Sequence, residues 1–310
     1  MAAGSAPRFT DTLIAVGGES GRLTASRDWS KTPLGPLEAW SQSLRTATTT
    51  LLASPVPMVM LWGEAGVMLY NDAYSVFAGG RHPELFGSNV REGWQEVADF
   101  NDNVMRVGLA GGTLAYRDQE LTLFRHERPE QVWMNLDYSP VLNDQGRPAG
   151  VLAIVVETTE RVIADRRQAF RLALEERLWG FTDPAAIIGA ATQALGEHLG
   201  VAQVGFGEID AAQAHIEVDA DWNDGRLGSV VGTWRLDDFG AAFIGDLKAG
   251  RTVAISDIRA DSRTRSPEVL AACERIAVRA LLEVPLAREG RMHAMLLLII
   301  RNRVTGHRWR

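Results

Sequence analysis

The change of apolar period near Thr113 is what most constrains the fold. Upstream, Leu37, Trp40, Leu44, Ala47 and Leu51 recur at steps of three and four residues. That spacing puts them on one face of a helix. Downstream, Leu121 and Leu123 alternate, and Val132, Met134, Leu136 and Tyr138 line one face of a strand over residues 131–141. Side chains of a strand alternate between its two faces, so a period of two cannot continue a helix. Residues 149–157 predict a third, more fully buried strand. Two short apolar runs, 58–62 and 67–70, precede them, turned by 63–66. Five antiparallel strands with helices on one side make an α+β domain.

The sequence then changes character. Residues 158–179 are charged and lack Gly and Pro until Gly180. Ile163, Phe170 and Leu174 fall at seven- and four-residue steps, a short seam on which a second copy could pair. Asp183-Pro184 opens another helix, with Asp183 as cap and proline at the favoured first position, and Gly200 closes it. Strands over 201–209, 214–220, 228–236, 252–256, 278–286 and 292–300 follow. Helices start at Asp237/Asp238 and Ser266-Pro267. The predicted organisation is an N-terminal arm (1–33), a first α+β domain (34–160), a connecting helix (161–181) and a second antiparallel-sheet domain (182–310).

Composition excludes several classes. The net charge of -7 and the absence of a basic stripe argue against nucleic acid and anionic membranes. No apolar run approaches the roughly 18 residues a membrane span needs. The single cysteine, Cys273, permits no internal disulfide and no cysteine-based zinc site. The expected compartment is the cytoplasm. None of the six histidines has a metal-ligand neighbour at a suitable spacing.

Several segments resemble known families. Leu69-Tyr70-Asn71-Asp72-Ala73-Tyr74, Gly80-Arg81-His82-Pro83, Asp137-Tyr138-Ser139-Pro140-Val141 and Glu157-Thr158-Thr159-Glu160-Arg161 resemble a PAS domain with its C-terminal motif. The leading Asp28-Trp29-Ser30-Lys31-Thr32-Pro33 is similar to the segment before such domains in bacterial sensor histidine kinases. Asp221-Trp222-Asn223-Asp224-Gly225, Asp257-Ile258-Arg259-Ala260-Asp261 and Val284-Pro285-Leu286 resemble a GAF domain. The resemblance implies the sensory region of a two-component signalling protein. It would bind a small molecule or cofactor and pass its state, through a helical homodimer linker, to a histidine kinase output. No phospho-acceptor histidine or Gly-rich ATP lid follows the second domain, so no catalytic residue is assigned.

Ligand-facing candidates are Tyr70, Asn71, Tyr74 and Trp133 in the first domain. In the second they are Trp222, Trp234, Asp237, Phe239 and Asp257, aromatic walls with carboxylates suited to a small polar or cationic ligand. Ile163, Phe170 and Leu174 are the dimer and relay candidates. Asn71 and Asp72 also suit helix capping. The sequence argues against three cofactors. Haem lacks a clear proximal histidine, and the first domain has no cysteine for a flavin adduct. For a covalent bilin, Arg259 stands where the corresponding motif has proline and Cys273 is misplaced. The alternative function is a dimerisation scaffold whose pockets are filled by its own side chains.

Overall fold

The computed structural model describes residues 8–126 and 128–300. Residues 1–7 of the expected arm and 301–310 of the second domain, with His307, lie outside the described residues. The chain divides into two compact units at Ala164/Asp165.

The first unit holds a five-stranded antiparallel sheet in the order β2-β1-β5-β4-β3. Its strands are β1 (Met58–Trp62), β2 (Val67–Tyr70), β3 (Leu114–Leu123), β4 (Glu130–Leu142) and β5 (Pro148–Glu157). The turn between β1 and β2 needs glycine at Gly66. Its φ is +61°, and a Cβ there would lie 2.8 Å from Val90.

Residues 9–26 of the expected arm are helical. They form α1 (Phe9–Val16) and α2 (Gly18–Ser26), and Leu13, Ser20 and Thr24 are buried. The helix expected over 37–53 is shorter: a 3-10 turn at Leu37–Ala39 precedes α3 (Gln42–Leu52). Ser41 makes the division, accepting a hydrogen bond from the Leu44 N–H. α4 (Asp72–Ala78), α5 (Val90–Gly93) and α6 (Ala98–Leu109) follow.

Asn71 joins these pieces. Its Oδ1 accepts from the Met58 and Tyr74 N–H groups at 3.1 and 3.0 Å. Its Nδ2 donates to the carbonyls of Leu51, Ser54 and Val56. One buried side chain thus holds the end of α3, the start of β1 and the start of α4. Asp72, the next residue, faces α2 instead, accepting from the Glu19 and Ser20 N–H groups at 3.0 and 2.7 Å. It supplies from another element the cap that α2 lacks locally. Burial pulls the Asp72 carboxyl upward, but the Ser20 and Glu19 amides outweigh it and the net shift is down.

The second unit carries a six-stranded antiparallel sheet in the order β8-β7-β6-β11-β10-β9. The strands are β6 (Gln203–Ile209), β7 (His215–Asn223), β8 (Gly232–Arg235), β9 (Val253–Ile255), β10 (Ala280–Arg288) and β11 (Arg291–Ile300). α7 (Thr159–Leu178) leads into it from the first unit, and α8 (Pro184–Leu199) follows. α9 (Ala241–Lys248) and α10 (Pro267–Arg275) come later. Asp237 and Asp238 do not cap α9. They lie in a 3-10 turn, Leu236–Phe239, and Gly240 at φ +93° holds the cap position.

Both faces of this sheet are covered. Met295 and Ile299 of β11 join a core with Phe243, Ile244 and Cys273. Leu296, Leu298 and Ile300 join a second with Leu195 and Leu199 of α8. This explains the unbroken apolar run at 294–300: a strand covered on both sides has no polar face to alternate with.

The neighbouring side chains Asn71 and Asp72 should therefore respond differently to truncation. Asn71→Ala leaves buried carbonyls and the Met58 N–H without partners, and should cost about 3 kcal/mol or more in chemical denaturation. Asp72→Ala should cost about 1 kcal/mol. Its effect in native-state hydrogen exchange should be fastest at the Glu19 and Ser20 amides. Equal global losses would contradict the assignment.

Candidate functional site

Each unit encloses a cavity against its sheet. The first holds about 50 Å³ of free volume and is lined by Met68, Tyr74, Trp94, Phe100, Asn101 and Tyr138 among others. Tyr74, one of the ligand-facing candidates, is part of this lining. Its hydroxyl accepts from Trp94 Nε1 at 3.2 Å. Tyr70 lies outside this lining. Its ring packs edge-on against Phe86 with centroids 4.9 Å apart, and its hydroxyl meets His82 Nδ1 at 3.0 Å. Burial raises the hydroxyl pKa of both tyrosines well above the ordinary range. Asn71 spends its polar atoms on the backbone contacts described above. Trp133 lines neither cavity. It is buried, and its main chain exchanges hydrogen bonds with Thr158 and Thr159 at the root of α7.

That root is tied to the sheet by several side chains, and one of them, Asp118, was not among the sequence candidates. A bulge shifts the register of β3 between Tyr116 and Gln119, and Asp118 there has φ +48°. Its Oδ1 accepts from Thr158 Oγ1 at 2.7 Å and from Arg161. The Arg161 and Thr158 hydrogen bonds hold the Asp118 carboxyl below the usual carboxylate range. Arg125 Nη1 adds a bond to Glu157 at 2.7 Å.

The seam expected on α7 is partly occupied within the second unit. Phe170 stacks on the His198 ring of α8, with centroids 4.1 Å apart and planes 19° from parallel. Leu174 and Ile163 are half-buried. The open apolar side chains are instead Leu172 and Trp179, 55% and 90% exposed.

The second cavity holds a similar free volume, about 50 Å³, and is partly open to solvent. Trp234 and Phe239 line it, together with Ile216, Val218, Phe243 and Leu281. The other three candidates of this unit lie elsewhere. The β7 register shifts opposite Phe206/Gly207, which adds a residue to β7. An added residue reverses the faces beyond it. Ile216 and Val218 therefore face the cavity, whereas Trp222 packs on α8. A Cβ at Gly196 would lie 2.1 Å from the Trp222 ring. Asp237 is exposed and lies 3.8 Å from Arg235. Asp257 pairs with Arg279 at 3.1 Å.

Two titratable groups in this cavity were absent from the sequence-derived site: Cys273 and Glu283. Glu283 interrupts the apolar run of β10 at the parity of Leu281, and that was the available signal. Glu283 as a whole is half-buried, but its Oε2 is shut off from solvent and has no hydrogen-bond partner among the described residues. Burial alone pushes its carboxyl up to about 8. Burial, aided by Glu283, pushes the Cys273 thiol up to about 11.

Residues 51–163 match the family model described as the PAS fold. No curated protein matches the chain. Among solved structures, the chain is similar to the chromophore-binding domain of Stigmatella aurantiaca phytochrome P1. Identity is 14%, with 81% of this chain and 88% of that one covered, at a TM-score of 0.40. The chromophore-binding domain of a bacteriophytochrome from R. palustris gives 14%, 82%, 87% and 0.40 for the same quantities. Free methionine-R-sulfoxide reductase from Neisseria meningitidis gives 17%, 46%, 78% and 0.35. Among the described residues, no helix is long and apolar enough to cross a membrane.

The cavity acid should be visible in the pH dependence of stability. From about pH 4.5, the carboxyl's ordinary value, to about pH 8, folded Glu283 keeps a proton that the unfolded chain releases. Its contribution to stability is therefore intact below the lower value and is lost as pH rises through the upper one. The slope is at most about 1.4 kcal/mol per pH unit. Glu283→Gln should flatten this fall in denaturant titrations between pH 5 and 8. Parallel curves for the two proteins would contradict it.

Proposed function

We propose that the chain is the sensory region of a signalling protein, a PAS domain followed by a GAF-like domain, with the second unit's cavity as its ligand site. The observation that carries this reading is an apolar cavity left unfilled by its own side chains and lined by an acid without a partner. Ligand pockets commonly combine apolar walls with a few placed polar groups. The sequence offers no Ser/His/Asp or Cys/His arrangement that argues for catalysis. A free thiol held neutral by burial is a poor nucleophile.

In this reading α7 carries the signal. Its first turn is tied to β3 through Asp118 and to β4 through the Trp133 main chain. A ligand that favours one arrangement of these ties shifts the population of states by its difference in affinity. The output is a histidine kinase module, as the sequence resemblance implies, and the working form is a cytoplasmic homodimer. The exposed Leu172 and Trp179 supply apolar surface for that pairing, in place of the seam through Phe170.

Two measurements test the proposal. Native mass spectrometry of the purified protein, followed by denaturation, should release a small molecule. Failing that, a metabolite panel should raise the melting temperature with at least one compound. Neither a released molecule nor a shift would favour the scaffold reading. Light scattering should give twice the chain mass, and Leu172→Glu with Trp179→Glu should halve it. An unchanged mass for the double variant would remove α7 from the interface.

A further inference from the structure

The cavity of the second unit has few polar atoms to spare. Trp234 Nε1 donates to the Val230 carbonyl at 2.9 Å, and Thr264 Oγ1 donates to the Ile258 carbonyl at 2.5 Å. Among the described residues, no lysine, arginine or histidine lines the cavity. The Cys273 thiol stays protonated at neutral pH. Glu283 Oε2 is the buried oxygen without a partner. Leaving such a group unpaired costs free energy that a plain apolar side chain would not.

The chemistry of this acid narrows the ligand. A fixed cation would either bring net charge into an apolar space or force Glu283 to lose its proton to water. A purely apolar ligand would leave the acid unpaired. A neutral weak base avoids both costs. It accepts the acid's proton within the cavity, so charge separates only between two groups already in contact. Two parallel N–H···O bonds then satisfy both carboxyl oxygens, the strongest geometry available to a carboxylate. Trp234, Phe239 and Phe243 provide apolar walls suited to a flat ring.

We infer that the second cavity binds a planar nitrogen heterocycle bearing an amidine edge, a ring nitrogen beside an exocyclic amino group, and that Glu283 grips this edge. The inference rests on reading this cavity as a ligand site. In the binding step the Glu283 O–H bond breaks and a ring N–H bond forms. The carboxylate then accepts from that N–H and from the amino group, and no other reactant is needed.

The test uses the full chain at pH 7 with two probes of equal heavy-atom count, 2-aminopyridine and toluene, by titration calorimetry. The native chain should bind both. Glu283→Met should weaken 2-aminopyridine by on the order of tenfold while leaving toluene within a factor of about two. Should that variant fail to fold, Glu283→Gln, which keeps the side-chain size and cannot transfer a proton, should weaken 2-aminopyridine alone by a smaller factor. Equal changes for both probes, or none, would overturn the role of Glu283 and leave the cavity standing as a ligand site. Binding of neither probe to the native chain would overturn both readings.

Discussion

The first unit depends on the five hydrogen bonds of Asn71. Three of them satisfy carbonyls in the turn after α3, where backbone groups leave one helix before joining a sheet. Such groups have no partner within their own element. A carboxylate of the same size could not donate to those carbonyls, and a hydroxyl could not bridge donors and acceptors so far apart. An amide at this position supplies both polarities. Asp72, one residue later, has only acceptors at neutral pH and is matched to the bare N–H groups of α2. Two adjacent residues thus hold different layers of one fold because one side chain can donate and the other cannot.

Much of this architecture was legible in the sequence. The strands β1 and β2 fall where their apolar runs and the intervening turn put them, because period and turn chemistry are local. The capping role of Asn71 was legible for the same reason. Its other four bonds were not, since they join segments up to 20 residues apart. Residues 9–26 carry little periodicity and show no helix in the sequence, because Gly and Ser normally mark loops. Here Gly17 and Gly21 allow the two helices close approach: a Cβ on Gly21 would sit 2.2 Å from the Leu13 carbonyl oxygen. Close packing of backbones is a long-range demand that composition does not announce.

The candidate site was harder to read, and the bulges explain why. Alternation assigns a face to each strand residue only while the register is unbroken. The shift in β7 separates Trp222 from Ile216 and Val218 although all three share a parity in sequence. The bulge in β3 likewise turns Asp118 toward Thr158 and Arg161, forty residues and more along the chain. Nothing in a run of ten residues reveals either event. Trp234 and Phe239 do line the second cavity, as large aromatic side chains tend to. Asp237 and Asp257 were chosen for their charge, but a charge is most easily held at the surface or in an ion pair, which is where both are.

Glu283 shows the converse. An acid is expensive in an apolar cavity, and a leucine of similar volume would fold with less penalty. Structural duty does not account for it, because among the described residues the buried oxygen supports no backbone group and meets no cation. Asp118, Asp221 and Asp257 all have duties of that kind, through Thr158, Val230 and Arg279. The comparison separates acids that the fold uses from one that the fold carries at a cost. In the proposed reading, a side chain of the second kind gains its compensation from a bound ligand, and the walls around it favour a molecule with an apolar body and one edge able to meet a carboxyl group.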